Sequence, residues 1–127
     1  MVEVSVVTSV FFGTSAENLI ASLTSLEVQI FRDFEVIVVA DGPVSPEVKM
    51  VLLDFETRLD QPKIIWLEEN VGLQRVLNIG LAHAKGKYVA RMDDDDISSP
   101  DRFLKQVHEL EKNPYISILD IILDYFM

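Results

Sequence analysis

The sequence predicts an α/β fold with a mainly parallel sheet and helices on both of its faces. Two observations lead to this prediction. Apolar runs of strand length alternate in regular order with segments whose apolar residues recur at helical spacing. The 127 residues, 49% of them hydrophobic and 25% charged, suffice for one domain with a core of its own. Crossovers between parallel strands are right-handed, which places helices on both faces.

Four strand-and-helix pairs account for the chain up to residue 112. Ser15 and Asn70 can cap the first and third helices, and Pro46 opens the second. Ser99-Pro100-Asp101 begins the fourth with a cap, a proline in the first turn and an early acid. In chain order we predict strands over residues 4–10, 34–40, 63–67 and 87–92, and helices from Ala16 to Ile30, from Pro46 to about Leu59, from Asn70 to Gly86 and from Ser99 to about Lys112. Residues 115–127 are a candidate fifth strand.

The chain is strongly acidic. It carries 21 Asp and Glu against 11 Lys and Arg, a formal net charge of −10, and it has no cysteine. Nucleic acid is excluded as an expected partner, because phosphate contacts require clustered Lys and Arg. Disulfides, thiolate zinc sites and thiol catalysis are excluded as well. If the ligand is an anion, a cation has to screen it from this charge.

The sequence carries no visible targeting or membrane-spanning signal. Its N-terminus has no basic stretch ahead of an apolar one, and no apolar run approaches the roughly 20 residues of a spanning helix. The nearest candidate, Ile116 to Met127, is short and carries Asp120 and Asp124. We therefore expect a cytoplasmic chain without a transmembrane segment, with the inner face of the membrane as a second location.

Most of the unusual residues of the chain lie where the predicted strands end. In open parallel sheets, ligands bind beyond the carboxyl ends of the strands. The residues that follow those ends are Ser9, Val10, Phe11 and Phe12 for the first strand, Asp41 for the second, Glu68, Glu69 and Asn70 for the third, and Asp93 to Asp96 for the fourth. The sequence therefore predicts a ligand site along this edge.

Four successive aspartates after the fourth strand are the sharpest feature. In an extended stretch alternate side chains share a side, so Asp93 and Asp95 are expected to point together. Two such carboxylates repel unless a cation lies between them, and oxygen ligands suit Mg²⁺ or Mn²⁺. The alternative is a solvated acidic loop, or acids that precede the helix start at Ser99. The position directly after an apolar strand favours the metal site.

The other residues at this edge each have a structural and a functional interpretation. Asp41-Gly42-Pro43 is explained by a turn, but Asp41 can also accept a hydrogen bond from a ligand. Asn70-Val71-Gly72 is explained by a helix cap, or by backbone N–H groups that face an anion. Arg91 can pair with an aspartate or with a phosphate. Trp66 is expected in the core rather than as a stacking platform.

Several segments, in this order, resemble the family 2 glycosyltransferases of the GT-A fold, most closely the bacterial enzymes of surface-polysaccharide synthesis such as the amylovoran-type transferases. The segments are residues 4–11, 34–43, 69–73, 77–78, 84–86, 90–98 and 100–103. The run Ala90 to Ser98 is highly specific for the family, and the others are individually weak. The resemblance covers residues 3 to about 119 and implies a Rossmann-like, nucleotide-binding half.

The resemblance implies a site for a nucleotide-diphosphate sugar. Asp93 and Asp95 would form the metal-binding DxD motif, and the Mg²⁺ or Mn²⁺ ion would neutralise the leaving nucleotide diphosphate. The nucleobase and ribose would lie against residues 9–11 and Asp41. The residues that we assign to the donor are Ser9, Val10, Phe11, Asp41, Asn70, Gly72, Arg75, Asn78, Arg91, Met92, Asp93 and Asp94. The sugar would pass, with inversion, to a saccharide or lipid-linked acceptor.

The chain departs from the family pattern at three places. Phe11-Phe12 stands where the family often has Tyr-Asn, and Asp41 stands alone where it often has paired aspartates. The carboxylate base of inverting members lies well downstream of the DxD motif, and the tail after residue 119 does not resemble the family's continuation. We therefore interpret residues 1–127 as a single donor-binding domain, truncated before the acceptor half, without an assigned catalytic residue.

Two other functions compete with this interpretation. A non-catalytic module that binds a nucleotide diphosphate fits the same residues. A signalling receiver domain fits the length and acidity, but it needs acids after its first strand and a lysine after its last, and neither is present. The apolar segment Ile116 to Met127 is an edge liability unless it is paired, so it is also a candidate contact for a homo-oligomer.

Overall fold

The computed structural model of the chain describes residues 2–60 and 62–112, which form four strands that alternate with four helices. The elements are β1 (Val4–Val10), α1 (Ala16–Glu27), β2 (Phe34–Ala40), α2 (Pro46–Phe55), β3 (Lys63–Trp66), α3 (Leu73–His83), β4 (Tyr88–Met92) and α4 (Arg102–Lys112). The predicted strand over residues 115–127, and the oligomer contact assigned to it, lie outside the described residues.

The four strands form one parallel sheet in the order β3-β2-β1-β4. Val4 opens the register opposite Phe34 on one side and Tyr88 on the other. The chain leaves β1 toward β2 and returns on the other side as β4, so the strand order reverses between β1 and β4. In open α/β sheets, a crevice forms at such a point beyond the carboxyl ends of the strands.

Alternation along β1 builds a core on each face of the sheet. Val6 and Val10 belong to the larger core, which contains side chains of α1, α2 and α4. Val7 belongs to the smaller core on the opposite face, with Val76 of α3. A Cβ atom at Gly80 would lie 2.5 Å from a methyl carbon of Val7, so α3 lies against β1 more closely than a larger residue permits. The predicted parallel α/β sheet with helices on both faces is confirmed.

The starts of α1 and α2 were predicted better than their ends. Ser15 and Ser45 cap α1 and α2 through their side chains, with Pro46 in the first turn of α2. However, α1 ends at Glu27 and α2 at Phe55, earlier than the sequence predicted. Beyond α1 the N–H of Ile30 donates to the carbonyl of Pro100 at 2.8 Å, so a tertiary contact replaces the helical bond.

The start of α4 also differs from the prediction. The first helical residue is Arg102, and the Ser99 side chain bonds Asp101 instead of a backbone N–H of the helix. The N–H of Phe103 instead donates to the side-chain oxygen of Gln29 at 3.2 Å. A residue 74 positions away in sequence therefore caps this helix.

Several apolar side chains are more exposed than their spacing predicted. Trp66, predicted to be core, is 42% exposed because it ends the edge strand β3. Ile20 and Ile30, predicted on the apolar face of the first helix, are also exposed. Within the part of the chain that the structure describes, no helix has the length and apolar character needed to cross a bilayer.

Candidate functional site

A crevice of about 500 Å³ opens beyond the carboxyl ends of β1, β2 and β4. This volume lies within the range of pockets that bind small molecules. Three groups of residues line it: Ser9, Val10 and Phe11 from the end of β1; Asp41, Asn70, Gly72 and Leu73 from the end of β2 and the start of α3; and Arg91, Asp93, Asp94 and Asp95 from the end of β4. Residues distant in sequence thus meet at the predicted edge.

Three predicted donor residues do not line the crevice. Arg75 and Asn78 are exposed on α3 and are not among the residues that line it. Met92 is 2% exposed and lies in the larger core, where its sulfur accepts a hydrogen bond from the Ser98 hydroxyl. Alternation along β4 sends Met92 to that core and Arg91 to the other face. Leu73 lines the crevice and was not predicted. The ligand contacts assigned to the lining residues stay predictions.

The aspartate run forms a turn, so the predicted extended geometry is wrong. The N–H of Asp93 donates to the Asp96 carboxylate at 2.9 Å, and the N–H of Asp96 donates to the Asp93 carbonyl at 3.2 Å. This turn still gathers carboxylates, because one oxygen each from Asp93, Asp95 and Asp96 lie within 4.8 Å of one another. Asp96 was not predicted to join Asp93 and Asp95, although aspartate is favoured at the first position of a turn.

These three carboxylates suit a divalent cation. Their hard oxygen donors match the preference of Mg²⁺ and Mn²⁺. Burial raises the pKa of Asp93 above its ordinary value; the attraction of Arg91 opposes this shift, and repulsion from the neighbouring aspartates adds to it. Keeping the negative charge of Asp93 in the folded chain therefore costs free energy, and a bound cation would reduce that free-energy cost.

Two arginines lie beside the aspartate turn. The Arg91 guanidinium contacts the Asp93 carboxylate at 3.1 Å, one of the two pairings that the sequence left open. Arg102 donates to the Ser98 hydroxyl at 2.9 Å and to the Arg91 carbonyl at 3.4 Å. Burial lowers the pKa of Arg102 to about 10, against the attraction of Asp96, so Arg102 is a cation at neutral pH. Arg102 was not predicted at the site from the sequence.

Asp41 forms the floor of the crevice and holds the start of α3. It is buried, and its two carboxylate oxygens accept the N–H groups of Val71 at 2.7 Å and Gly72 at 3.2 Å. The predicted Asn70 cap is wrong: Gly72 occupies the cap position with φ 94° and no side-chain cap. Asn70 donates from its side chain to the Asp41 carbonyl at 3.4 Å.

The turn after Asp41 requires glycine. Gly42 has φ 83°, and a Cβ atom there would lie 2.7 Å from the backbone nitrogen of Asn70. Left-handed backbone and a close approach of two chain segments both favour a residue without Cβ. Gly42 therefore lets the end of β2 approach the segment that leads into α3.

Fold and site together define an α/β protein whose ligand crevice lies at the switch point of a parallel sheet, with a cluster of carboxylates at one wall. Residues 5–127 match the family model described as "Glycosyl transferase family 2", and the chain belongs to that family. The resemblance noted from the sequence is confirmed.

Similarity to known proteins extends over most of the chain. The amylovoran biosynthesis glycosyltransferase AmsE of Erwinia amylovora is 40% identical over 112 residues, which cover 88% of this chain and 42% of AmsE. Staphylococcus aureus TarS 1–349, solved in complex with UDP-GlcNAc, superposes with a TM-score of 0.77 at 24% identity over 88% of this chain and 32% of that one.

A second similar structure is a mannosyltransferase. PcManGT from Pyrobaculum calidifontis, solved with GDP-Man and Mn²⁺, has a TM-score of 0.73 at 22% identity over 85% of this chain and 32% of that one. At these identities, the structural likeness to TarS and PcManGT shows the fold. The chain spans about two fifths of the length of the first curated relatives that it matches.

Proposed function

We propose that this chain binds a nucleotide-diphosphate sugar in the crevice together with Mg²⁺ or Mn²⁺, as the donor-binding half of a glycosyltransferase of surface-polysaccharide synthesis. The observation that carries the proposal is the convergence of the Asp93, Asp95 and Asp96 carboxylates, of which Asp93 and Asp95 belong to residues that line the crevice. The relation to AmsE and the ligands of TarS and PcManGT support it. We place this activity in the cytoplasm, with a saccharide or lipid-linked acceptor.

Each wall of the crevice would have its own part in donor binding. Asp93, Asp95 and Asp96 would hold the ion, which supplies positive charge to the leaving diphosphate when bound. Phe11, 48% exposed beside Ser9 and Val10, offers a flat apolar surface to a base. The N-terminus of α3, where Gly72 and Leu73 line the crevice, carries the positive end of a helix dipole.

The test is nucleotide binding by the 127-residue chain, measured by calorimetry. UDP and GDP are titrated in Mn²⁺, in Mg²⁺ and in EDTA, and binding is expected only with an ion. Asp95→Asn removes a ligand charge and should weaken binding at least about tenfold. Asp60→Asn, an exposed acid just before β3 at the other end of the sheet, is the matched control. Nucleotide binding that persists in chelator would contradict the proposal.

The alternative is a module that binds a nucleotide diphosphate without turnover. One observation favours it: the carboxylates among the described crevice residues are Asp41, which accepts two backbone N–H groups, and Asp93 to Asp95 of the aspartate turn. None of these is assigned as the base that takes the acceptor proton. Hydrolysis of UDP-sugar and GDP-sugar donors, compared with binding, separates the two functions, because the module binds without releasing sugar.

A further inference from the structure

One buried hydroxyl joins two walls of the crevice. Thr14 lies in the turn between β1 and α1 and is 8% exposed. Its hydroxyl accepts the N–H of Phe11 at 2.9 Å and donates to the carboxylate of Asp94. Phe11 and Asp94 both line the crevice, on the β1 wall and the β4 wall. The Thr14 hydroxyl therefore bonds both sides at once.

The direction of these bonds follows from the partners. A backbone N–H can only donate, and an ionised carboxylate can only accept, so the Thr14 hydroxyl has one way to satisfy both. The turn is also closed by the backbone, since the N–H of Thr14 donates to the Phe11 carbonyl at 3.1 Å. Burial strengthens a hydrogen bond to a charged group relative to water. The link spans 80 positions of sequence.

Asp94 also differs from its neighbours in the aspartate run. The three carboxylates whose oxygens converge belong to Asp93, Asp95 and Asp96. Asp94 points to Thr14 instead, so within this turn three acids can serve an ion while the fourth ties the turn to the β1–α1 segment.

We propose that Thr14 is a positioning residue that makes the Phe11–Thr14 turn and the Asp93–Asp96 turn move as one unit. Through it, a ligand contact at Phe11 and a cation at the aspartate turn stabilise each other without sharing a direct contact. The inference rests on the proposed function for the identity of those ligands, a nucleotide and a divalent cation. The link between the two turns is a property of the unliganded chain.

The first experiment measures amide hydrogen exchange in the nucleotide-free chain. Thr14→Val and Thr14→Ala remove the hydroxyl and should speed exchange about tenfold at the N–H groups of both Phe11 and Asp96. Thr14→Ser keeps the hydroxyl and should exchange like wild type. Thr24→Val, the same change at an exposed position of α1, is the control. Unchanged exchange at Asp96 in both hydroxyl-free variants would overturn the proposal; the smaller Ala serves if Val does not fold.

The second experiment measures coupling between the two walls. The affinity for Mn²⁺ is determined with and without UDP, or GDP, and the ratio is the coupling factor, because coupling between two ligands is reciprocal. We expect Thr14→Val and Thr14→Ala to reduce this ratio about tenfold, and Thr14→Ser to restore it. A residue that only stabilised the fold would shift the unfolding midpoint and leave the ratio unchanged, and that result would reject the positioning role.

The two proposals fail in different ways. If wild type binds neither nucleotide with either ion, the proposed function fails, and the exchange data still decide whether Thr14 joins the turns. If nucleotide binding by wild type depends on Mn²⁺ but the Thr14 variants match wild type in hydrogen exchange and in coupling, the proposed function stands. The role of Thr14 is then rejected.

Discussion

At the scale of single residues, carboxylates at and beside the crevice accept hydrogen bonds from backbone N–H groups. Asp41 was predicted as a turn residue or a ligand contact, and the structure gives its carboxylate two backbone donors at the start of α3. Asp96 likewise accepts the N–H of Asp93 while its own carboxylate lies within reach of the converging acids. Asp41 therefore both lines the crevice and holds the start of α3 beside it.

Replacing Asp41 tests this structural part. Asp41→Ala leaves the N–H groups of Val71 and Gly72 without their acceptors and should lower the free energy of unfolding by about 2 kcal/mol. Asp41→Asn keeps one acceptor and should cost about half as much. Urea unfolding followed by circular dichroism gives both values. Asp60→Asn should stay within about 0.5 kcal/mol of wild type, and equal stability of Asp41→Ala would contradict the assignment.

At the scale of elements, side chains from distant segments hold the helix starts near the crevice. Gln29, 2% exposed beyond the end of α1, accepts the N–H of Phe103 and donates to the carbonyl of Ser99 at 2.6 Å. The N–H of Ser98 donates to the Ser25 hydroxyl of α1 at 3.0 Å. The end of α1 thus fixes the segment that follows the aspartate turn.

Gln29→Ala should therefore destabilise the chain more than an ordinary glutamine substitution. It leaves the buried N–H of Phe103 without its acceptor, while the Ser99 carbonyl keeps the N–H of Arg102, and we expect a loss of about 2 kcal/mol in the free energy of unfolding. Gln74→Ala, on the exposed surface of α3, is the matched control and should change little. Chemical unfolding of both variants checks this, and equal midpoints would count against the capping role.

A carboxyl pair joins the start of the sheet to the end of α4. The hydrogen bond with Glu111 raises the pKa of Glu3, and burial raises it further. The same hydrogen bond, together with the attraction of Lys87, lowers the pKa of Glu111. Glu3 in the folded chain therefore keeps its proton to a higher pH than its ordinary pKa of 4.5 would allow. The stability from that proton is lost as the pH rises through the raised pKa.

Glu3→Gln replaces the shared proton with a permanent N–H donor. We expect the urea midpoint of the variant to gain on that of wild type as the pH is raised from 4 to 7, because the wild-type stability from the Glu3 proton is lost as the pH rises through the raised pKa of Glu3. Unfolding at both pH values measures the effect, with Glu109→Gln on α4 as the control. A difference independent of pH would show that proton sharing does not contribute.

At the scale of the whole molecule, the net charge of −10 and the aspartate turn both lower the stability of the folded chain. Repulsion among like charges disfavours the compact state, and a cation bound at the turn opposes it. Since an unfolded chain does not fix the three carboxylates in one arrangement, an ion bound there as we propose would stabilise the folded chain.

Mn²⁺ should accordingly raise the thermal unfolding midpoint by several degrees. At an ion concentration 100 times its dissociation constant, the expected gain is about 2.7 kcal/mol. Calorimetric scans with MnCl₂ are compared with NaCl at equal ionic strength, so that general screening is subtracted. Asp95→Asn should lose most of the specific shift and Asp60→Asn should keep it. An equal shift in both variants would place the ion elsewhere.

The sequence by itself determined the order of strands and helices along the chain, the parallel sheet, and the edge of the sheet where the site residues meet. These follow from local periodicity and from the general handedness of crossovers, which are readable without coordinates. Ser15 and Pro46 marked helix starts for the same local reason. The site residues at strand ends were predictable because parallel strands bring their carboxyl ends to one edge.

Only the tertiary structure decided which of these residues touch. The bonds from Asp41 to Val71, from Gln29 to Phe103 and from Thr14 to Asp94 join positions 30, 74 and 80 apart. Such pairs depend on which loops lie side by side, and no periodic pattern encodes that. Exposure of Trp66 has the same origin: apolar spacing gives the direction of a side chain, but the neighbouring element decides whether anything covers it.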